Sequence, residues 1–299
     1  MSTARAQRTP PPSGLIIVDK PAGWTSHDVV GKLRGVAGTR RVGHAGTLDP
    51  MATGVLVVGV EKATRLLGHL ALTEKGYDGT IRLGQSTSTD DAEGEVIGSA
   101  SAAGVGEEEV RRGVAALTGR IMQIPPQVSA IKVNGERAYK RARAGEEVEL
   151  QARPVTVSRF EVTGVRRAGE VIDVDVSVTC SSGTYIRALA RDLGAALGVG
   201  GHLTALRRTR VGPYDLSMAR TVERLSADCV ILPMAEAVAA AFPRRDVTAE
   251  EAGVVAHGGR LPSLGLGRGP IGVFGPDGTL LALVEEDGKV AKSLAVFVS

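Results

Sequence analysis

Residues 172–180 read IDVDVSVTC, a strict alternation of apolar and polar side chains. A period of two predicts a β-strand with one face buried and the other exposed. A short turn containing Gly183 follows, and the apolar residues from Ile186 to Leu197 then recur on one side of a helix. The stretch therefore predicts a strand that leads into an amphipathic helix, with Tyr185 in the first turn of that helix.

Elsewhere in the sequence, apolar runs typical of buried strands also alternate with helical patterns. Ser26 is the expected N-cap of the first helix, because a serine hydroxyl can accept from a free backbone N–H of the first turn. Residues 43–50 are too rich in turn formers for a regular element and predict a loop. The predicted strands are 15–18, 55–60 and 77–83, the predicted helices are 62–72 and 107–117, and 85–94 is a predicted polar loop.

The end of the chain has a different character. From about Pro243 a helical pattern at 248–256 is followed by short strands that glycines separate, such as 271–274 and 280–284. We therefore expect an α+β protein with a disordered leader at 1–13, a large domain at 14–240 and a small β-rich domain at 241–299. A Pro-containing basic segment, 124–154, is expected to leave the core of the large domain as an insertion.

Composition excludes several classes of protein. The 299 residues are 43% apolar and 23% charged, which excludes disorder throughout. The longest run without Asp, Glu, Lys or Arg is 193–206, too short to span a bilayer. Two cysteines make no disulfide framework, and the polar leader lacks the apolar core of a signal peptide. We expect a cytoplasmic protein.

Basic residues are concentrated in three places. Residues 31–48 hold four cations and no acid, 132–143 hold five cations against one acid, and 207–210 hold three arginines. A single basic run is usually a solvated surface, but three together suit a polyanionic partner such as nucleic acid.

Common catalytic motifs are missing from the sequence. There is no Walker A motif, no HExxH, no CxxC and no GxSxG, and the five histidines show no paired ligand spacing. We therefore expect no metal and no cofactor.

Single polar residues, mostly on loops or at element ends, remain as candidates for chemistry. A loop carboxylate such as Asp49 can act as a nucleophile or base, and a cation such as Arg187 could pair with it across the fold. Each candidate also has a structural alternative: a turn, a solvated position or core packing. The candidates are Lys20, His44, Asp49, Tyr77, Tyr185 and Arg187.

These residues lie in motifs that resemble the TruB family of bacterial tRNA pseudouridine-55 synthases. The similarity covers roughly residues 14 to 235, and a chance motif does not extend that far. The matching stretches are GLIIVDKP (14–21), GWTS (23–26), GHAGTLDP (43–50), ATGVL (52–56), KGY (75–77), GQSTSTD (84–90), PPQVSA (125–130), GTYIR (183–187) and LRR (206–208).

The resemblance implies a reaction and its catalytic residues. Asp49 would be the nucleophile that enables cleavage of the uridine C1′–N1 bond, after which the base rotates and rejoins the sugar through C5. Arg187 would pair with Asp49, and Tyr77 would stack on the target uracil. The substrate-binding residues would be His44, Tyr77, Tyr185, Leu206 and Lys20.

The resemblance also implies an architecture and a partner. It predicts a large mixed, mainly antiparallel sheet with flanking helices, an RNA-clasping insertion at 124–154 and a PUA-like C-terminal domain. The partner would be the T stem-loop of tRNA, bound by a monomer that requires no protein partner. Two alternatives stay open: a tRNA-binding chaperone module, and a pseudouridine synthase that acts on another RNA.

Overall fold

The computed structural model describes residues 11–128, 132–133, 136–137 and 150–298. Most of the predicted leader and the basic stretch around Tyr139 lie outside these residues. Among the helices that are described, none combines the length and the apolar character needed to cross a bilayer.

Strands make up most of the regular structure. In chain order they are β1 (Gly14–Lys20), β2 (Val42–Ala45), β3 (Thr53–Val60), β4 (Lys75–Leu83), β5 (Gln85–Thr87), β6 (Val96–Ser99), β7 (Gly119–Gln123), β8 (Lys132–Val133), β9 (Glu136–Arg137), β10 (Arg153–Ala168), β11 (Val171–Cys180), β12 (Gly201–Val211), β13 (Tyr214–Asp215), β14 (Arg220–Thr221), β15 (Leu232–Pro233), β16 (Arg244–Asp246), β17 (Leu261–Pro262), β18 (Pro270–Phe274), β19 (Leu280–Asp287) and β20 (Val290–Val296).

Helices are shorter and fewer among the described residues. They are α1 (Ser26–Ala37), a 3-10 helix (Glu61–Leu66), α2 (Leu67–Leu70), α3 (Glu107–Ala116), α4 (Ile186–Ala196), α5 (Val222–Ala227), α6 (Met234–Ala241) and α7 (Ala249–Ala256).

The chain folds as two compact units. The first is formed by the described residues of 1–48, 55–71 and 212–299, and the second by those of 49–54 and 72–211. In the first unit, β1 lies beside β3 and pairs with β14 and β15, and α1 packs its apolar face on their core. A five-stranded sheet in the order β16-β18-β19-β20-β17 has its own apolar core, which confirms the β-rich C-terminal part.

The second unit is built on one mixed sheet. The first two residues of β3 run parallel to β12, and β4, β11, β10 and β7 follow in antiparallel pairs. Gly54 makes the parallel contact possible: its φ is +98°, and a Cβ there would lie 2.2 Å from the Arg208 carbonyl oxygen. Helix α4 packs against β12. The predicted mixed, mainly antiparallel sheet is confirmed.

Several local predictions need correction. The N-cap of α1 is Thr25, whose hydroxyl accepts from the Asp28 backbone N–H, and not Ser26, which is buried. The predicted loop 43–50 begins with residues of β2, because Gly43 to Ala45 pair with β3. The predicted helix 62–72 is a 3-10 helix followed by one short α-helix, and Tyr185 is the N-cap of α4 rather than part of its first turn.

Candidate active site

Asp49 lies in a loop that is held on both sides. The residue before it, Leu48, donates its N–H to the Ser26 hydroxyl at 2.9 Å and accepts from that hydroxyl at 3.3 Å. The Asp49 carbonyl accepts from the Ala52 N–H at 3.1 Å, which closes a turn. The Asp49 side chain keeps 36% of its surface exposed. The loop thus presents a carboxylate on a fixed backbone.

Arg187 brings a buried cation to this carboxylate. Its Nε lies 3.0 Å from Asp49 Oδ2, and its Nη2 lies 3.4 Å from Asp49 Oδ1. Arg187 is 5% exposed although its helix neighbours offer no acid. The predicted pairing of these two residues is therefore present, and it holds the Asp49 carboxylate in one orientation.

The Arg187 guanidinium is itself held by two other segments. Nη1 donates to the Thr89 carbonyl at 2.8 Å and Nη2 donates to the Val128 carbonyl at 3.0 Å. Nε also lies 3.4 Å from a carboxylate oxygen of Asp91, which is 2% exposed. The other Asp91 oxygen accepts from the Thr89 hydroxyl at 2.5 Å and from the Glu93 N–H at 3.0 Å. Asp91 thus places a second, buried carboxylate near the same Nε that faces Asp49.

Tyr77 lies on one face of the second unit's sheet. On β4 it stands opposite Arg208 of β12, so that the two side chains share a face and form a hydrogen bond. Burial raises the pKa of the Tyr77 hydroxyl, the Arg208 cation opposes that rise, and the Asp49 charge adds to it. Leu206 of β12 lies on the same face, opposite Gly79. The hydroxyl therefore stays protonated in this environment.

A second buried cation accompanies Arg208. Lys75 lies two residues before Tyr77 on β4, on the same face, and is 6% exposed. Burial, together with the positive charge of Arg208, lowers the pKa of Lys75 to about 8. Opposite Lys75 on β11, burial raises the pKa of the Cys180 thiol to about 11. Cys180 is therefore a protonated core residue and not a nucleophile.

Tyr185 is held at the start of α4 by one side chain. Its N–H donates to Gln123 Oε1 at 2.8 Å, and its carbonyl accepts from Gln123 Nε2 at 3.1 Å. Gln123 is buried at the end of β7. This two-bond contact orients the backbone from which both Tyr185 and Arg187 project.

His44 and Lys20 belong to the first unit. His44 is the third residue of the short strand β2 and makes an edge-to-face contact with the exposed ring of His27 at a centroid distance of 5.4 Å. Lys20 is fully buried, and its ammonium donates to the Trp24 carbonyl at 2.6 Å and to the Pro21 carbonyl at 2.9 Å. Its position excludes the solvated-turn alternative. The substrate-binding roles of both residues stay predictions.

Sequence reasoning missed three residues that complete this arrangement: Asp91, Gln123 and Arg208. Asp91 follows directly on the matching stretch 84–90, and Arg208 lies inside the stretch 206–208, so proximity to the motifs was a usable signal for these two. Gln123 carried no such signal. Among the described residues, no three or more His, Cys, Asp or Glu side chains group as metal ligands.

Family models match most of the chain from residue 34 to residue 298. Residues 34–186 match the TruB family pseudouridylate synthase N-terminal domain. The chain belongs to the TruB family. Residues 187–239 match the tRNA pseudouridylate synthase B C-terminal domain, and residues 242–298 match the C-terminal domain of tRNA pseudouridine synthase II.

Relatives of this TruB family member are similar over their whole length. The tRNA pseudouridine synthase B of Streptomyces griseus subsp. griseus is 63% identical over 97% of this chain and 99% of its own. That of Thermobifida fusca is 65% identical over 95% of this chain and 98% of its own. Among solved structures, a chain of an H/ACA RNP bound to a substrate RNA containing 2′-deoxyuridine is 27% identical, with a TM-score of 0.72 over 96% of this chain and 85% of that one.

Proposed function

We propose that this protein isomerises uridine 55 in the T loop of tRNA to pseudouridine, with Asp49 as the nucleophile. The observation that carries the proposal is the Asp49 carboxylate, which is partly exposed and held by the buried Arg187 at 3.0 Å. A nucleophile needs access to its substrate, and the ion pair supplies a fixed orientation without closing that access. The relatives named tRNA pseudouridine synthase B support tRNA as the substrate class.

The reaction rearranges bonds within one nucleoside. The N1–C1′ bond breaks with the help of Asp49, the uracil turns, and a C5–C1′ bond forms. The proton on C5 is lost and a proton is bound at N1, so the atoms and electrons of substrate and product are equal. Asp49 is regenerated when the C5–C1′ bond is complete. The reaction therefore requires a nucleophile, a surface on which the free base can turn, and a group that takes up the proton from C5.

A uridine inside a folded RNA loop must leave its stack before the sugar carbon is accessible. Tyr77 would recover part of the lost stacking energy on its ring, with Leu206 and Tyr185 lining the pocket. His44 would help to displace the base from the loop. The buried Lys20 ammonium donates to the carbonyls of Pro21 and Trp24. Lys20 would therefore support binding indirectly, by holding the turn that contains these two residues.

The RNA stem would be held by positive charge outside the pocket. The predicted insertion 124–154 includes five cations within residues 132–143, which suit phosphate contacts that fix the register of the stem-loop. A single polypeptide would suffice for this arrangement, and we propose that the enzyme acts as a monomer on tRNA alone.

The test is tritium release from a T stem-loop transcript made with 5-tritiated uridine, with neither guide RNA nor cofactor added. We expect release of the tritium of one uridine per RNA molecule. A matched stem-loop with cytidine at position 55 should release none.

Two outcomes would contradict the proposal. Tight binding of the stem-loop without release would favour a binding module or chaperone. If the cytidine-55 stem-loop released as much tritium, the reaction would have to be assigned to a uridine other than uridine 55.

A further inference from the structure

Helix α4 presents a second arginine beside the first. Arg187 and Arg191 are four residues apart and therefore lie on the same side of the helix, one turn from each other. Arg187 contacts the turn at 89–91 and the carbonyl of Val128. Arg191 contacts the same two parts of the chain: its Nη1 lies 3.1 Å from Asp90 Oδ2, and its Nη2 donates to the Ile124 carbonyl at 2.7 Å.

The turn at 89–91 has an unusual backbone at its centre. Asp90 has a φ of 59°, in the left-handed region that few residues other than glycine, asparagine and aspartate adopt. On one side of Asp90 the Thr89 carbonyl reaches Arg187, and on the other side the Asp91 carboxylate does so. The Asp90 side chain itself is directed to Arg191, and its carbonyl accepts from the Leu203 N–H at 3.0 Å. The turn thus divides its polar groups between the two arginines.

Partial burial shields the contact between Asp90 and Arg191 from water, at a desolvation cost that raises the pKa of Asp90. The Asp90 side chain is 16% exposed and that of Arg191 is 30% exposed. Water screens such a pair less than it screens exposed charges. The contact can therefore hold the left-handed turn in place against its local conformational preference.

From this geometry we infer that Arg191 and Asp90 form a positioning pair, which holds the 89–91 turn so that Thr89 and Asp91 keep Arg187 aligned on Asp49. The inference rests on the proposed function for the role of Asp49. It adds two residues that touch neither Asp49 nor the predicted stacking tyrosine among the described contacts. Both residues act on the reaction through Arg187. Arg191 lies one turn from Arg187 on the same helix, and Asp90 lies between Thr89 and Asp91, which contact Arg187.

The test compares kcat and KM for tritium release by Asp90→Asn, Arg191→Met and the double variant. Asparagine tolerates the left-handed conformation, so Asp90→Asn removes the charge and spares the backbone. We expect each single variant to lower kcat about tenfold, because small misalignments at a reacting centre are costly. KM of Asp90→Asn should stay within about twofold of the wild type, and the double variant should lose no more than the worse single variant, since both remove one interaction.

Asp192→Asn is the matched control. Asp192 also contacts Arg191, at 2.8 Å, but it does not touch the 89–91 turn, so wild-type kcat is expected. Arg191→Lys keeps the charge and should recover part of the activity lost in Arg191→Met. A purely structural role would instead lower the melting temperature and leave kcat per folded enzyme unchanged.

Wild-type kcat in both single variants, or losses that multiply in the double variant, would overturn the inference. Its failure is distinct from failure of the proposed function. The ratios of kcat between variants hold for whichever uridine is isomerised, whereas the cytidine-55 stem-loop tests the position with the wild-type enzyme alone.

Discussion

Two groups of buried charge in the second unit differ in the neighbours of their cations. Arg187 has carboxylate oxygens of Asp49 and Asp91 at 3.0 and 3.4 Å from its Nε. Lys75 lies near Arg208, and the pKa of Lys75 falls to about 8 because burial and the Arg208 cation both disfavour its charged form. The first group thus sets two carboxylates beside a buried cation, whereas the second brings two buried cations near each other on the face that holds Tyr77.

The two groups differ in what their charges determine: the orientation of side chains in the first group, and the stability of the folded chain in the second. A buried ion pair contributes little net stability, because desolvation offsets much of the attraction, but it strongly restricts orientation. A buried lysine near another cation costs stability, because burial and the neighbouring charge both disfavour its charged form. Substitutions around Arg187 should therefore disturb its orientation and lower turnover, and removing one of its carboxylates should also cost stability, because the buried cation is left less well paired. Substitutions at Lys75 should act mainly on the free energy of unfolding.

The largest expected effect is that of Asp49→Asn. The amide cannot act as the nucleophile, so turnover should fall by at least about 10³-fold, while RNA affinity stays within about twofold. Tritium release and filter binding measure the two quantities. Asp78→Asn, an exposed acid on β4, is the control for the change in charge. Substantial turnover by Asp49→Asn would remove Asp49 from the nucleophile role.

Asp91→Asn should have the next largest effect. The amide oxygen can still accept from Thr89 and Glu93, but Arg187 loses one of its two carboxylate neighbours. We expect turnover to fall about 10²-fold through misalignment of Arg187, with RNA affinity unchanged. Single-turnover kinetics with saturating enzyme isolate this step. If Asp91→Asn turned over at the wild-type rate, the contact between Asp91 and Arg187 would have no part in the reaction.

Variants of Tyr77 sharpen the role of the second group. Tyr77→Ala should weaken binding of the stem-loop about tenfold, because one base loses its stacking partner. Tyr77→Phe keeps the ring and should bind as the wild type does. Filter binding tests both expectations. Loss of turnover in Tyr77→Phe as complete as in Asp49→Asn would assign the hydroxyl a chemical role, such as removal of the C5 proton.

The smallest expected effect concerns stability and pH. Below pH 8 Lys75 is charged in both the folded and the unfolded chain. Burial and the Arg208 cation disfavour that charge only in the folded chain, so it lowers the free energy of unfolding. Between pH 8 and its ordinary pKa of 10.5 the unfolded chain binds more protons, so stability rises with pH. Relative to Lys75→Met, the wild type should therefore gain about 2 kcal/mol of unfolding free energy between pH 7 and pH 9.5. Urea unfolding at both pH values measures the gain, and parallel pH profiles would contradict it.

Local pattern was enough to predict many of the elements. The strand expected at 172–180 is β11, and the helix expected from Ile186 is α4. The 16-residue strand β10 escaped prediction, because its pairing with β11 is interrupted between Val157 and Arg159 and again between Val162 and Gly164. Each irregularity shifts the alternation of faces, so the sequence of β10 shows no steady period of two.

The sequence by itself determined which residues to consider, through the motifs that hold Asp49, Tyr77 and Arg187 and through the periodic burial of single elements. Burial acts on each strand or helix separately, and it therefore leaves a pattern in consecutive residues. Tertiary structure alone decided which charges meet. Asp49 and Arg187, which are 138 positions apart in the sequence, are brought together by strand pairing and helix packing, and the same packing turned Lys20 inward and placed Lys75 beside Arg208. Contacts between residues so far apart depend on the whole fold, so no local pattern records them, and the pairing of Asp49 with Arg187 was predicted only through the family resemblance.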